Sequence, residues 1–151
     1  MKIIIKNILL FLVGYCAYIA IEVTFRGVSY LLMGICAGLA VIIIDKINDC
    51  ISWDIDIILQ GVIGSIVITI FELIIGEISL RTELLPIMCN YSNVPLNFDG
   101  IICLPFSIIW IGLSIMGILV ADAINYYMLN IQPCLYYKCL GKVIFRFKER
   151  T

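Results

Sequence analysis

The chain has 151 residues, of which 63% are hydrophobic and only 14% are charged, and its formal net charge is −1. Soluble domains are about 45–50% apolar and about 25% charged. A soluble fold of 17.0 kDa has too little interior to bury this surplus of apolar side chains. The composition therefore predicts an integral membrane protein, and the near-neutral net charge points to no nucleic-acid partner.

The residue types exclude several kinds of chemistry. There is no histidine, which excludes His-based acid–base catalysis and argues against a catalytic zinc or haem site. The seven cysteines are scattered, and no Cys-x-x-Cys pair occurs. We interpret the cysteines as small apolar packing residues. The sequence thus predicts no catalytic residue, no metal ligands and no cofactor.

Apolar runs with few charges predict the helices. Each of four runs approaches the ~20 residues that a helix needs to cross ~30 Å of hydrocarbon, and none alternates as the strands of a barrel do. The predicted fold is all-α and integral to the membrane, a four-helix transmembrane bundle over residues 1–121 followed by a cytoplasmic tail over residues 122–151. The predicted helices cover about residues 7–25, 27–44, 57–76 and 100–121.

The basic residues predict the orientation, because lysine and arginine concentrate in cytoplasmic segments. In a four-span arrangement, eight of the ten basic residues lie in the N-terminal segment, the middle loop and the tail. Only Arg26 and Arg81 lie on the other side. We therefore expect a multi-pass protein of the cell membrane with both termini in the cytoplasm.

The tail after Pro133 carries Lys138, Lys142, Arg146 and Arg150 at intervals of four residues. This interval predicts a basic amphipathic helix with apolar side chains on another face. Such a helix suits anionic lipid at the cytoplasmic surface. The alternative is a solvated tail that only fixes the topology.

A short internal repeat predicts two helical hairpins. Gly14 precedes Glu22 by eight positions, and Gly64 precedes Glu72 by the same interval. Both acids stand near the end of an apolar helix that runs outward. Helices 1–2 and helices 3–4 could thus be parallel repeats, an organisation that transport folds use.

Small residues four positions apart predict close packing between helices. Gly34 and Gly38 form such a pair in the second predicted helix, and Gly61 and Ser65 form another in the third. This spacing places both small residues on one helix face, where they let a neighbouring backbone approach. We expect both pairs to lie at helix contacts.

Two carboxylates inside apolar helices are the main functional candidates. A lone charge deep in the bilayer costs ~2.5 kcal/mol or more, so such residues face the bundle interior and pair. Glu22 and Arg26 are four positions apart, in the favourable order for an ion pair on one helix face. Glu72 has no basic residue one turn away and needs a partner from another segment, water or a substrate. The alternative is a pair of interfacial acids exposed to lipid headgroups.

The predicted external loop, between the third and fourth helices, is dense in hydrogen-bonding side chains over residues 90–97. Irregular polar backbone at membrane depth is tolerated only where it lines a cavity or is buried in protein. We therefore predict a structured loop that folds back over the bundle and completes one outward-opening polar site near the outer leaflet. The predicted site consists of Glu22, Arg26, Glu72, Asn90, Tyr91, Ser92 and Asn97.

Several of these residues occur in an order that resembles a known family. The matching pieces are Glu22-x-x-x-Arg26-Gly27-x-Ser29, Gly64-Ser65, Glu72-Leu73-x-x-Gly76, Tyr91-Ser92-Asn93-x-Pro95-x-Asn97-x-x-Gly100-x-Ile102-Cys103-Leu104 and Trp110. Over roughly residues 10–120 the chain resembles the type IV ABC-transporter permeases, a family of small multi-pass membrane proteins, and it is similar to an uncharacterised vertebrate transmembrane family. That family usually has Trp-Asp before Tyr-Ser, whereas this chain has Cys89-Asn90, which removes a carboxylate from that position.

The resemblance implies a permease component of a transporter. The chain has no Walker A loop, so an ATP-driven system would need a separate ATPase subunit. The acidic loop at residues 45–56 and the basic tail are the predicted cytoplasmic docking surfaces. Four helices are few for a complete pathway, which also leaves a homo-oligomer open. Membrane lipids are expected partners in either case.

Two alternative functions remain open at this point. The first is a non-catalytic scaffold or regulator in which the acids only stabilise packing. The second is an intramembrane lipid-modifying enzyme, with Glu72 or Glu22 as general base and Arg26 holding a headgroup phosphate. The sequence specifies no nucleophile and no metal site for such an enzyme, so the transport interpretation is favoured.

Overall fold

The computed structural model describes residues 2–52, 54–82, 90–131 and 136–148. Along these residues the chain forms four long helices. They are α1 (Lys2–Arg26), α2 (Leu31–Cys50), α3 (Ile57–Thr82) and α4 (Leu104–Ala123), and α4 continues into a π-helical turn at Ile124–Met128. All four are long and apolar enough to cross a membrane. The predicted all-α four-helix membrane bundle is confirmed.

The helices associate as two hairpins, α1 with α2 and α3 with α4, and α2 also packs against α3 and α4. The short connection from α1 to α2 begins at Gly27, whose φ is +75°, a left-handed conformation that glycine adopts without steric penalty. The two hairpins leave a loop end and a terminal end. The loop end is formed by residues 27–30 and 90–103, and the terminal end by the start of α1, residues 51–52 and 54–56, and residues 136–148.

Small residues bring α1 and α2 into close contact. A Cβ atom added at Gly38 would lie 2.6 Å from Cδ2 of Phe11 and 2.8 Å from its carbonyl oxygen. A Cβ atom at Gly34 would lie 2.7 Å from Cε2 of Tyr15. The close packing predicted from the spacing of these glycines is confirmed, because neither position has room for a side chain.

The pair in α3 makes the equivalent contact with α4. A Cβ atom at Gly61 would lie 2.6 Å from Cγ1 of Ile115. The Ser65 hydroxyl donates a hydrogen bond to the carbonyl oxygen of Ser107 at 2.6 Å. Both predicted small-residue pairs therefore lie at a helix contact within their own hairpin.

Gly38→Ala is expected to lower the thermal midpoint of the detergent-solubilised protein. The added methyl group would push against the Phe11 backbone, and overpacking typically costs about 1–3 kcal/mol, or about 2–12 °C in a chain of this size. Gly112→Ala is the matched control, because a Cβ atom there meets no described atom within 4 Å. Equal midpoints for the two variants, measured by circular dichroism, would contradict the close approach of α1 and α2.

The helices extend further than the charge pattern predicts. α2 continues past residue 44 to Cys50, and α3 continues past residue 76 to Thr82. The prediction ended α2 at its first charged residue, Asp45. That side chain is instead buried in the bundle, where it forms an ion pair with Lys6 and accepts a hydrogen bond from Asn125. A charged residue with partners does not end a helix.

The C-terminal segment corrects a prediction. Strands β3 (Tyr136–Cys139) and β4 (Lys142–Arg146) form an antiparallel hairpin, so the predicted basic amphipathic helix is wrong. Leu140 and Gly141 close the turn with φ values of 50° and 76°, the conformation of the two-residue turns that match strand twist. The predicted helix also included residues 135 and 150, which lie outside the described residues.

Packing against the bundle explains why this segment is a hairpin. Tyr137 and Phe147 are buried together with Ile44, Ile57 and Ile118 from three different helices. In an extended backbone, alternate side chains point to the same side. The rings of Tyr137, Phe145 and Phe147 contact one another there, and those of Tyr137 and Phe147 are buried against the helices. The segment thus covers the terminal end of the bundle.

The hairpin is also tied to the loop between α2 and α3. The Tyr136 hydroxyl donates to Oδ1 of Asp54 at 2.6 Å, and the Lys138 ammonium donates to the same oxygen. The hydrogen bond from Lys138 and then that from Tyr136 hold the pKa of the exposed Asp54 carboxyl below its usual value. The acidic loop and the basic tail, predicted as two separate docking surfaces, therefore contact each other at this point.

Candidate functional site

Glu22 lies near the end of α1 and is buried. Its Oε1 accepts a hydrogen bond from Nη1 of Arg26 at 2.9 Å, and its Oε2 accepts one from the Ser29 hydroxyl at 2.5 Å. The Tyr18 hydroxyl stands 3.4 Å from Oε1. Arg26 is 42% exposed, so the ion pair has one buried and one half-exposed partner.

Arg26→Ala is expected to lower the thermal midpoint by only a few degrees. Glu22 would lose its cation but keep the donors Ser29 and Tyr18, and half-exposed ion pairs contribute about 1 kcal/mol or less, or about 4 °C or less. Arg81→Ala is the control, because Arg81 pairs with Glu77 at the same helix spacing and is 79% exposed. It should change the midpoint less than Arg26→Ala does. A loss for Arg81→Ala that equals or exceeds the loss for Arg26→Ala would contradict this ranking.

Glu72 lies within α3 and is buried more completely than Glu22. Its partners come from other segments. The Tyr91 hydroxyl donates to Oε1 at 2.9 Å, and the indole N–H of Trp110 donates to Oε2 at 3.0 Å. The need for a partner from another segment is thus met by two neutral donors. A carboxylate has about four acceptor positions, so the two described donors leave some of the acceptor capacity of Glu72 unused.

An aromatic pair connects the two carboxylates. The rings of Tyr18 and Trp110 stack with their centroids 6.4 Å apart. Tyr18 is on the Glu22 side of this pair, and Trp110 holds Glu72. Both acids therefore lie toward the loop end of the bundle, where the stacked rings of Tyr18 from α1 and Trp110 from α4 connect them.

The four predicted loop residues have different roles. Tyr91 reaches Glu72. Asn90 accepts hydrogen bonds from the backbone N–H and the hydroxyl of Ser92, and Asn97 bonds the backbone of two other loop residues. In the contacts described for these residues, Asn90, Ser92 and Asn97 shape the loop and Tyr91 alone extends from it to the carboxylate.

Two short strands give the loop its fixed shape. β1 (Asn97–Phe98) and β2 (Ile102–Cys103) pair antiparallel. Ile101 is buried between these strands and α3, where a Cβ atom added at Gly76 would overlap with its Cγ2. The loop is thus anchored on a glycine of α3, one helical turn from Glu72.

A cavity of about 300 Å³ lies between the two hairpins. All four helices line it, and its walls are apolar except near a few side chains, which include Tyr18, Glu72, Trp110 and Ser114. Within the described part of the chain, neither the Glu22–Arg26 pair nor the external loop lines it. The cavity therefore differs from the predicted one: it is apolar, and one of the two carboxylates borders it.

A second buried polar cluster lies at the terminal end and was not predicted. Lys6 forms an ion pair with Asp45 at 2.7 Å and with Asp49 at 3.2 Å. Asp45 also accepts a hydrogen bond from Asn125 at 3.2 Å. Three helices meet in this cluster, since Lys6 is on α1, the two acids are on α2, and the amide is just beyond α4.

The same end holds a further buried carboxylate. Asp122 of α4 accepts hydrogen bonds from the Asn48 amide at 3.3 Å and from the Tyr137 hydroxyl. The spacing of acids and amides in the sequence could have indicated this polar contact between α2 and the end of α4. Asp45 with Asn48, and Asp122 with Asn125, are spaced three residues apart and therefore share a helix face. We interpret both groups as contacts that hold the helices and the hairpin together.

The four apolar helices and their buried polar contacts define a small multi-pass membrane protein. The model of the family described as "Putative ABC-transporter type IV" matches residues 13–147. The chain therefore belongs to that family, and the predicted family resemblance is confirmed. No curated protein and no solved structure matches the chain.

Proposed function

We propose that this protein is the membrane-embedded subunit of a transport system, with its polar site at the loop end facing outward. Membership of the ABC-transporter family and the four apolar helices support a transporter component. The observation that carries the proposal is Glu72, a buried carboxylate that borders the cavity between the two hairpins. Such a group is expensive inside a membrane and marks a pathway or a site by default.

The proposed polar site combines residues of different exposure. Arg26 and Glu22 form its rim toward the outer surface, and Glu72 forms its base at the cavity. Tyr91 supports Glu72 from the loop. In this arrangement a polar part of a substrate would meet the rim first and Glu72 afterwards.

The proposal includes a separate ATPase subunit at the terminal end. The chain itself has no Walker A loop. The candidate docking surface there is the loop at residues 51–56 together with the β3–β4 hairpin, which contact each other through Asp54. A second copy of the chain would complete a pathway that four helices are too few to enclose.

The test is ATP turnover by the assembly purified from its native membrane in a mild detergent and reconstituted in lipid nanodiscs. An ATPase subunit should co-purify, and Glu72→Gln should lower its ATP turnover. Glu77→Gln is the matched control, with the same chemical change on the same helix at a residue paired with Arg81 near the helix end. The absence of any ATPase subunit would favour the scaffold function instead. Equal turnover in the two variants would remove Glu72 from the site.

The proposed orientation predicts a pattern of thiol labelling in intact cells. A membrane-impermeant maleimide should spare Cys50 and Cys139, which lie at the terminal end of the bundle. It should also spare Cys134 and should label Cys89 of the external loop, both of which lie outside the described residues. The reason is the distribution of basic residues, eight of ten on one side. Permeabilised cells are the control, and labelling of Cys50 from outside would reverse the orientation.

A further inference from the structure

The β3–β4 hairpin has one covered edge and one open edge. The loop between α2 and α3 covers the edge of β3, where Asp56 forms a parallel bridge with Lys138. β4 pairs with β3 on one side, and no other described strand pairs with it. An edge strand directs alternate backbone N–H and C=O groups away from its sheet. Along β4 the hairpin therefore offers backbone donors and acceptors to an incoming strand.

The side chains of β4 are exposed over its whole length. Val143, Ile144 and Phe145 form an apolar run of residue types that favour strands, and Ile144 is 61% exposed. The exposed cations Lys142 and Arg146 stand at the two ends of this run. An exposed apolar edge strand tends to pair with other chains, and proteins manage such edges with flanking charges or by covering them.

The exposed cations determine which charge suits the open edge. Lys138 of β3 is already paired with Asp54. Among the described residues, neither Lys142 nor Arg146 forms an ion pair, although Arg146 lies 5.7 Å from the centre of the Tyr136 ring. Opposite charges on neighbouring strands stabilise their pairing, and like charges destabilise it. The open edge therefore favours a strand that carries aspartate or glutamate.

Two other occupants fit the open edge less well. A second copy that added its own β4 antiparallel about Ile144 would place Lys142 opposite Arg146 twice, because such an interface is symmetric. Like charges would then face each other. The phosphate of a lipid headgroup could bind the cations, but it is an acceptor only and supplies no donor for backbone carbonyl groups. An acidic polypeptide strand satisfies both the cations and the backbone.

We propose that β4 is a docking edge for an extended acidic segment of a partner protein, which adds to the hairpin as a third strand. Carboxylates of this segment pair with Lys142 and Arg146, and an apolar side chain between them packs on Ile144. The register shift of β4 opposite Tyr137 and Lys138 limits regular pairing to a short stretch. Charge therefore contributes much of the specificity.

This inference deepens the proposed function, because it gives the docking mode and the charge of the partner at the terminal end. The identification of that partner with the ATPase subunit rests on the proposed function. The docking edge itself can be tested without transport and without ATP turnover.

Site-specific photo-cross-linking in native cells tests the docking edge. The full chain carries benzoylphenylalanine in place of Ile144, and cross-linked peptides are identified by mass spectrometry. They should belong to one segment of a separate protein, with acidic residues close to the attachment point. Benzoylphenylalanine in place of Tyr127, which is 68% exposed at the same end of the bundle, is the control and should not label that segment.

Two charge variants measure whether the cations select the segment. Lys142→Glu should lower the yield of the cross-link by about tenfold, because it replaces an opposite-charge pair by a like-charge pair. Lys46→Glu is the matched control, because it makes the same charge change at an exposed position near the end of α2. It should leave the yield unchanged.

Amide hydrogen exchange separates an added strand from an electrostatic contact alone. Amides of β4 should exchange about tenfold more slowly in the assembly purified from native membranes than in the isolated chain, since hydrogen bonds to a third strand protect them. This measurement uses the unmodified chain, so the test stays valid if a variant does not fold.

Three outcomes would overturn the inference. They are cross-links from position 144 that reach only lipid, a second copy or the chain itself, equal yields for the two charge variants, and equal exchange rates of β4 in the two states. The proposed function fails in a different way. An acidic segment from a protein that is not an ATPase would leave the docking edge standing and remove the transport role. A co-purified ATPase without this cross-link would remove only the docking edge.

Discussion

Lys6→Met is expected to cause a large loss of stability. The change removes the cation that lies 2.7 Å from Asp45, a side chain only 1% exposed. Asp45 would keep the Asn125 amide, which does not neutralise its charge. Breaking a buried ion pair from one side typically costs about 3–5 kcal/mol, so the thermal midpoint in detergent should fall by about 6–20 °C.

Two further variants make this result specific. Lys2→Met is the control, because Lys2 is one turn earlier on α1 and exposed, and it should leave the midpoint nearly unchanged. The double change Lys6→Met with Asp45→Asn should recover part of the loss, since the stranded charge is gone. A midpoint for Lys6→Met at the level of Lys2→Met would show that water reaches Asp45 and that the pair is not buried in the membrane.

Tyr137→Phe is expected to destabilise the bundle and to release the hairpin. The change deletes the hydroxyl that donates to Asp122 and keeps the ring against Phe147. Loss of a buried hydrogen bond to a charged group costs about 1.5–3 kcal/mol, or about 3–12 °C. Amide hydrogen exchange over residues 136–148 should also become faster, because this bond joins the hairpin to α4.

The adjacent tyrosine provides a matched control for that experiment. Tyr136→Phe is the same chemical change one residue away, and its hydroxyl donates to Asp54, which is exposed. It should have a much smaller effect on the midpoint, since water replaces the lost donor at an exposed carboxylate. Equal losses in the two variants would mean that Asp122 is satisfied by other groups.

Local spacing in the sequence predicted those features that depend on residues close together in the chain. The Glu22–Arg26 pair is four positions apart and forms within one helix. The small-residue pairs of α2 and α3 could be placed on one helix face from the helix repeat alone. By contrast, the two donors of Glu72 lie 19 and 38 positions away. The sequence could indicate that Glu72 needed partners but could not identify the indole of Trp110 as one of them.

The C-terminal hairpin shows where spacing alone is ambiguous. The interval of four residues between Lys138, Lys142 and Arg146 fits one face of a helix. The same interval from Lys142 to Arg146 is also twice the two-residue repeat of a strand, and these two residues are both in β4. The buried contacts of Tyr137 and Phe147 with the bundle favour the strand. No periodicity within the tail contains that information, because the surface that it covers belongs to other segments.

The sequence by itself determined the membrane class, the number of spanning helices and their approximate positions. A helix in lipid satisfies its backbone hydrogen bonds internally, so composition and length within one segment are sufficient. Only the tertiary structure decided the partners of Glu72, the cluster around Lys6 and Asp45, and the cavity between the hairpins. Each of these joins segments far apart in the chain, for example by 80 positions for Asp45 and Asn125. The relative rotation and depth of the helices that bring them together are set by packing between helices.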